Sequence, residues 1–397
     1  MAAATVYSEI HRLLNQHLDP RVDPSTRERL ALLVLGILDA RSAAPAQVAQ
    51  ALHSLGLSGA TTESIERRIR RIENDPELSA ALCLHPLARQ HLLWGRPREL
   101  LLVLDPTCKE DQVEMLSVAV WYRGRALPLA WAFWQANTPL RGERFWARTK
   151  ALLELVATLL PKGVPITWLA DRAFGTPQFI DLLSTHRWHY LVRVQGQTTW
   201  RDRRGVEGQA RHLVRLPGQR AKRRGQVFKK RGWRTASLLV YWGRGYHDLL
   251  CLVTDLPAKW YLVRLYRRRY AIETLFRDYK SYGWRWEQGQ VRDPEHLERL
   301  LVGMALATWI VLFIGTQVAT ELLAKPPTGK RRTRPWAAKH SLFSLGLQRV
   351  QQMLKGDPSL RPQWQLTAWD APNWEEQILA HYLYAFIIGG QKTSCSC

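Results

Sequence analysis

The 397-residue chain is short of acid: 34 Asp and Glu stand against 57 Lys and Arg, a formal charge of +23 at pH 7. Solubility alone needs no such excess, which points to a polyanionic partner. Nucleic acid fits better than a membrane surface, because the basic residues are spread over several segments. Sulfur is scarce as well. Cys83, Cys108, Cys251, Cys395 and Cys397 form an odd set with neither zinc-ligand spacing nor a disulfide framework, so a reducing cytosol is expected. Met1–His17 lacks the basic-then-apolar run of a signal peptide, so export is not expected. No internal repeat is evident. Long apolar runs are nearly absent, the exception being Leu300–Val318 (LLVGMALATWIVLFIGTQV), close to the length of a spanning helix. It follows a strongly charged segment and has no second spanning partner, so it is read as a helix buried on all sides rather than a membrane segment. Tryptophan, by contrast, is abundant: its 18 residues offer stacking surfaces as well as core volume.

Residues 1–95 read as short helices. The capping box Ser25-Thr-Arg-Glu28, ahead of Leu30–Leu38, predicts a helix from about Thr26. Ala44–Leu55, with Pro45 in its first turn, and a helix from Thr62 flank the turn Gly56–Ala60. The second of these carries Arg67, Arg68, Arg70 and Arg71 around Ile65, Ile69 and Ile72. The pair resembles a helix-turn-helix, which would make this a small helical DNA-binding region, although a plain helical hairpin fits nearly as well.

Residues 96–195 turn to an α/β pattern. Leu100–Leu104 reads as a strand ended by Asp105-Pro106, and Ser117–Tyr122 and Ala126–Trp134 as a hairpin through Arg123-Gly124-Arg125. A helix over Phe145–Leu160, a strand at Ile166–Ala170 ending at Asp171, a helix from Pro177 and a strand at Tyr190–Val194 complete a mixed-sheet layout. Asp105 and Asp171 both fall at C-terminal ends of strands, where open α/β sheets place their sites. Residues 196–258 break the pattern: Gly196–Thr235 holds thirteen Lys and Arg against Asp202 and Glu207, a surplus of +11. With strands expected at Ala236–Trp242 and Leu249–Val253, the block reads as a basic β-rich insertion suited to DNA contact. The core resumes over 259–322. Residues 323–397 hold a basic linker, Lys325–Pro335, and a tail with helices at Ser341–Leu354 and Trp374–Ile388; a plain loop and packing helices are the default reading, with dimerisation the alternative.

The most specific signal lies at Tyr266, Arg269, Glu273 and Lys280. At about 100° per residue these four share an arc of roughly 60° on a helix. That face sets a carboxylate among a phenol, a guanidinium and an ammonium: the carboxylate can hold a divalent cation while the others grip a phosphate. A solvated amphipathic helix explains the spacing about as well, since Arg267, Arg268, Arg277 and Asp278 charge other faces. With Asp105 and Asp171, Glu273 completes the three acids that two-metal phosphoryl transfer needs. Hard oxygen ligands suit two Mg²⁺ ions, with Mn²⁺ as substitute. Each acid has a plainer reading too, as a turn former or as a partner of Arg269 or Arg277, and Glu110, Asp111, Asp278 and Glu287 compete nearby.

Three segments together, Leu101–Thr107 with its Asp105, Trp168–Gly175 (WLADRAFG) and Tyr266–Lys280 (YRRRYAIETLFRDYK), resemble the DDE transposases of bacterial insertion sequences. The likeness is closest to the insertion-sequence-4 family, whose Tyr-x2-Arg-x3-Glu-x6-Lys signature is filled at Tyr266, Arg269, Glu273 and Lys280, although Ala173 stands where many relatives carry Gly. The resemblance spans about Glu99 to Val318. It implies an RNase H-like catalytic core interrupted by a β-strand insertion, with Asp105, Asp171 and Glu273 as metal ligands and Tyr266, Arg269 and Lys280 on the DNA backbone. It also implies cut-and-paste transposition: hydrolytic cleavage at terminal inverted repeats, then joining of the freed 3′-OH to target DNA by a homodimer in a synaptic complex. That setting is the bacterial cytosol, at the nucleoid. In some relatives an insertion-domain aromatic stacks a flipped base. Trp200, Trp233 and Trp242 are the candidates here, with core packing the plainer role. A structure-specific nuclease, or a transposase-derived repressor without catalysis, is the alternative.

Overall fold

The computed structural model describes residues 2–57, 59–76, 78–93, 97–324, 340–356 and 364–366. The chain opens with helices α1 (Ala2–His17), α2 (Pro24–Ala40), α3 (Pro45–Ser54), α4 (Thr62–Glu73), the single turn α5 (Ala80–Cys83) and α6 (His85–Leu93). Helix α2 starts earlier than its Ser25 box suggests. Asp23 caps it by accepting the Thr26 amide at 3.0 Å, and Pro24 fills the first turn, where a missing N–H costs nothing. In α4, Ile65, Ile69 and Ile72 point inward, leaving Arg67, Arg68, Arg70 and Arg71 exposed.

Ten strands then build one sheet: β1 (Leu100–Lys109), β2 (Val113–Tyr122), β3 (Arg125–Gln135), β4 (Ile166–Ala170), β5 (His189–Val194), β6 (Thr199–Asp202), β7 (Glu207–Gln209), β8 (Arg220–Val227), β9 (Arg234–Tyr241) and β10 (Leu250–Thr254). Their spatial order is β3-β2-β1-β4-β5-β10-β9-β8-β6-β7, with β4 parallel to both β1 and β5 and the other pairs antiparallel. The basic block is thus no separate layer. It prolongs the sheet outward from β5 through β10. Between β2 and β3 the two-residue turn Arg123-Gly124 takes φ of 47° and 76°, the positive values that match a tight hairpin to strand twist.

Strand β1 does not stop at Pro106, as its sequence suggests, but runs on to Lys109. Pro106 still faces Leu116 of β2, while β4 has already left the other side after Leu104. One side of β1 is therefore an edge at this point, the setting in which a residue without an amide hydrogen is tolerated.

The sheet is flanked by α7 (Gly142–Ala157), α8 (Pro177–Thr185), α9 (Tyr261–Arg267), α10 (Tyr270–Arg277), α11 (Pro294–Ala324) and α12 (Leu342–Leu354). By length and composition α11 is apolar enough to cross a membrane, yet 89% of its apolar window is buried within the fold. It lies between β3 on one side and α2 and α12 on the other, and the Trp309 indole donates to the Pro128 carbonyl of β3 at 3.0 Å. Where α11 meets α12 the backbones nearly touch: a Cβ on Gly346 would stand 1.8 Å from the Val311 carbonyl oxygen. Helix α12 carries its own capping box at Ser341 and Ser344. The linker Lys325–Pro335 and the helix expected at Trp374–Ile388 lie outside the described residues.

Candidate active site

Parallel pairing of β1 with β4 aligns Leu104 with Ala170, so Asp105 and Asp171 follow side by side. Asp171 does stand just past a strand end, opening the short turn Arg172–Phe174. Asp105 does not: it sits within β1, opposite Ser117 of β2, at the point where β4 departs. Above them α10 crosses β1, β2 and β3, held by its buried face of Ala271, Ile272, Leu275 and Phe276. That packing lowers Arg269 and Glu273 onto Asp105.

The Arg269 guanidinium bridges two of the acids. Its Nη1 donates to Asp105 Oδ2 at 3.0 Å and its Nη2 donates to Glu273 Oε1. Asp105 and Arg269 are largely enclosed, at 13% and 14% side-chain exposure, whereas Asp171 and Glu273 each keep 37%. The cluster is therefore sealed below and open to solvent along one side. The buried Tyr266 hydroxyl lies 3.4 Å from both the Ala170 carbonyl and Asp171 Oδ1, and Arg193 of β5 approaches Asp171 Oδ1 at 4.0 Å. Burial, reinforced by the charges of Asp171 and Glu273, pushes the Asp105 carboxyl up to about 7 against the pull of Arg269. Burial likewise raises Glu273 and Tyr266. The carboxylates in turn raise Arg269, outweighing its desolvation. Two guanidinium groups, Arg269 on Asp105 and Glu273 and the more distant Arg193 on Asp171, face three carboxylates, which leaves the site short of positive charge.

The four signature residues do not lie on one regular helix. Backbone bonds from Arg268 to Leu265 and from Arg269 to Tyr266 tighten the joint between α9 and α10, and Asp278–Tyr282 then widens into a π-helical turn. Tightening keeps Tyr266, Arg269 and Glu273 together. Lys280, on the wide turn, pairs with Glu287 at 3.4 Å. Of the competing carboxylates, Glu287 is committed to Lys280 and the buried Asp278 to Arg125 of β3. Glu110 and Asp111 form the turn after β1, both with positive φ.

Arg193 escaped the sequence reading, because nothing local reveals that β5 lies beside β4; only the pairing of Ala170 with Val192 does so. Trp200 is buried with Arg223 stacked 5.5 Å from its ring, Trp233 takes Arg201 at 4.6 Å, and the Trp242 indole donates to the Tyr246 carbonyl at 3.1 Å. All three are engaged within the sheet extension. As donors, three carboxylates suit a hard divalent cation. As they stand, no group of three or more His, Cys, Asp or Glu is gathered to hold a metal among the described residues, and the Arg269 guanidinium is what links Asp105 to Glu273.

Residues 147–310 match the family described as the transposase DDE domain. The matched stretch includes Asp171, Tyr266, Arg269, Glu273 and Lys280, while Asp105 lies before it. The match supports a DDE transposase. A solved piggyBac transposase synaptic complex with hairpin DNA is 10% identical, over 90% of this chain and 80% of that one, with a TM-score of 0.44. No curated protein matches the sequence significantly.

Proposed function

We propose that this protein is a cut-and-paste transposase of the insertion-sequence-4 type, which cleaves the ends of its element and joins their 3′-OH groups to target DNA. The observation that carries this reading is the placement of Asp105 and Asp171 beside the paired ends of β1 and β4, with Arg269 bridging Asp105 to Glu273 of α10. The block β3-β2-β1-β4-β5, a meander leading into parallel strands, supports an RNase H-like core. Two Mg²⁺ ions held by the three carboxylates would activate the attacking oxygen and stabilise the leaving one. Arg269 and Arg193 offer guanidinium forks to DNA phosphates entering from the open side, and the Tyr266 hydroxyl orients Asp171. Lys280 holds a phosphate farther along the strand, and the exposed arginines of β8 track the backbone beyond. A homodimer pairs two element ends, in the bacterial cytosol.

The test is incubation of purified protein and Mg²⁺ with DNA carrying the sequences that flank its own coding region. Excised and joined products are expected, absent in Asp105→Asn, Asp171→Asn and Glu273→Gln. Cleavage without joining would make the protein a nuclease, and binding alone would make it a repressor.

A further inference from the structure

We propose that Arg269 is a removable counter-ion that keeps metal off the carboxylates until DNA arrives. The inference rests on the metal-site reading above and concerns how that site is controlled. Its guanidinium satisfies Asp105 and Glu273 at once, and the side chain is enclosed between β1 and α10. A divalent ion shared by these two acids meets a fixed positive charge held against the same oxygens, and that repulsion opposes its binding. Metal and guanidinium therefore compete for the same oxygens. A DNA phosphate offers the guanidinium an equivalent two-oxygen partner, and the open flank beside Asp171 and Glu273 lets that phosphate approach. Arg269 sits at the joint between α9 and α10, outside the buried face of Ala271, Ile272, Leu275 and Phe276 that holds α10 in place. Metal and DNA then bind cooperatively, and by reciprocity each tightens the other by the same factor.

Mn²⁺ binding to the full chain, read from the electron paramagnetic resonance of the free ion, tests this with and without a short blunt duplex of arbitrary sequence. The protein alone should bind Mn²⁺ weakly, Arg269→Met alone about tenfold more tightly or better. The duplex should raise the unaltered protein toward the variant and change the variant little. A carboxylate-deficient control, Asp105→Asn with Glu273→Gln, subtracts ions held by DNA itself. If Arg269→Met binds no tighter while this control loses Mn²⁺ in the presence of duplex, the gate is wrong and the metal site stands. If the control loses nothing, the metal site falls and the gate with it. Should Arg269→Met fail to fold by circular dichroism, the unaltered protein still decides: a duplex that leaves its Mn²⁺ affinity at the level of the control overturns the gate.

Discussion

Strands β3 and β8 belong to one sheet but live in different surroundings. In β3 every residue but Gln135 is buried, so both faces are covered, and its one charge, Arg125, is partnered by the buried Asp278. In β8 Arg220, Lys222, Arg223 and Arg224 are exposed, on both faces of the ladder, and two of them rest on the rings of Trp260 and Trp200. The same backbone bonding supports both. What differs is the fate of charge: in the covered half it must be neutralised within the fold, while in the wet half it stays available to a polyanion. The carboxylate cluster sits near the boundary, enclosed at Asp105 and open at Asp171.

Changes on the covered side should be severe. Removing any one acid of the cluster should lower DNA cleavage and joining by roughly a hundredfold or more, measured as product per time at saturating Mg²⁺. Asp278→Ala takes the buried carboxylate away from the Arg125 guanidinium and should destabilise the protein by about 3–5 kcal/mol in urea unfolding. Gly346→Ala forces α12 away from the Val311 carbonyl, with an expected loss of about 3 kcal/mol by the same assay. Equal stability in either variant would mean that this half of the molecule tolerates what its burial forbids.

The buried histidines give a pH signature of the same half. Burial holds His85 and His91 down at about 4, below the usual 6.5, with the His85 ring bonded to the Leu129 carbonyl. Because the folded state binds their protons less readily than the unfolded one, their stability is full above pH 6.5 and lost as pH falls toward 4. About 2 kcal/mol per histidine should vanish by pH 5, and His85→Gln should remove one such share from the pH profile of unfolding. The wet half should behave in the opposite way. Replacing Arg220, Lys222 and Arg224 by Ala should shift stability by no more than about 0.5 kcal/mol each, while lowering the salt slope of DNA binding by about one unit per lost phosphate contact. An unchanged slope would place the DNA elsewhere.

The covered half was also the more legible in sequence. Ile166–Ala170 and His189–Val194 announce themselves as apolar strand runs bounded by breakers, and their bounds were read almost to the residue. Strand β8, RAKRRGQV, has no alternation of its own and is a strand because β9 pairs along its whole length. Local chemistry misled where a stronger signal lay next to it: Asp23-Pro24 outranks Ser25 as a cap, and Pro106 is accommodated by an edge that no sequence shows. At the site, helical spacing was enough to join Arg269 to Glu273. For Lys280 the spacing could not show that the chain leaves the regular helix after Arg277, in a π turn whose Asp278 and Tyr279 are buried.

The parallel register of β1 with β4 has a consequence for the order of biosynthesis. Asp105, Asp171 and Glu273 come from three distant stretches, and the last lies on α10, which packs across β1, β2 and β3. A nascent chain can build β1 to β5 and still hold only two of the three acids. The third acid joins them only with α10 across β1, so a chain that stops short of α10 lacks the Arg269 bridge from Asp105 to Glu273.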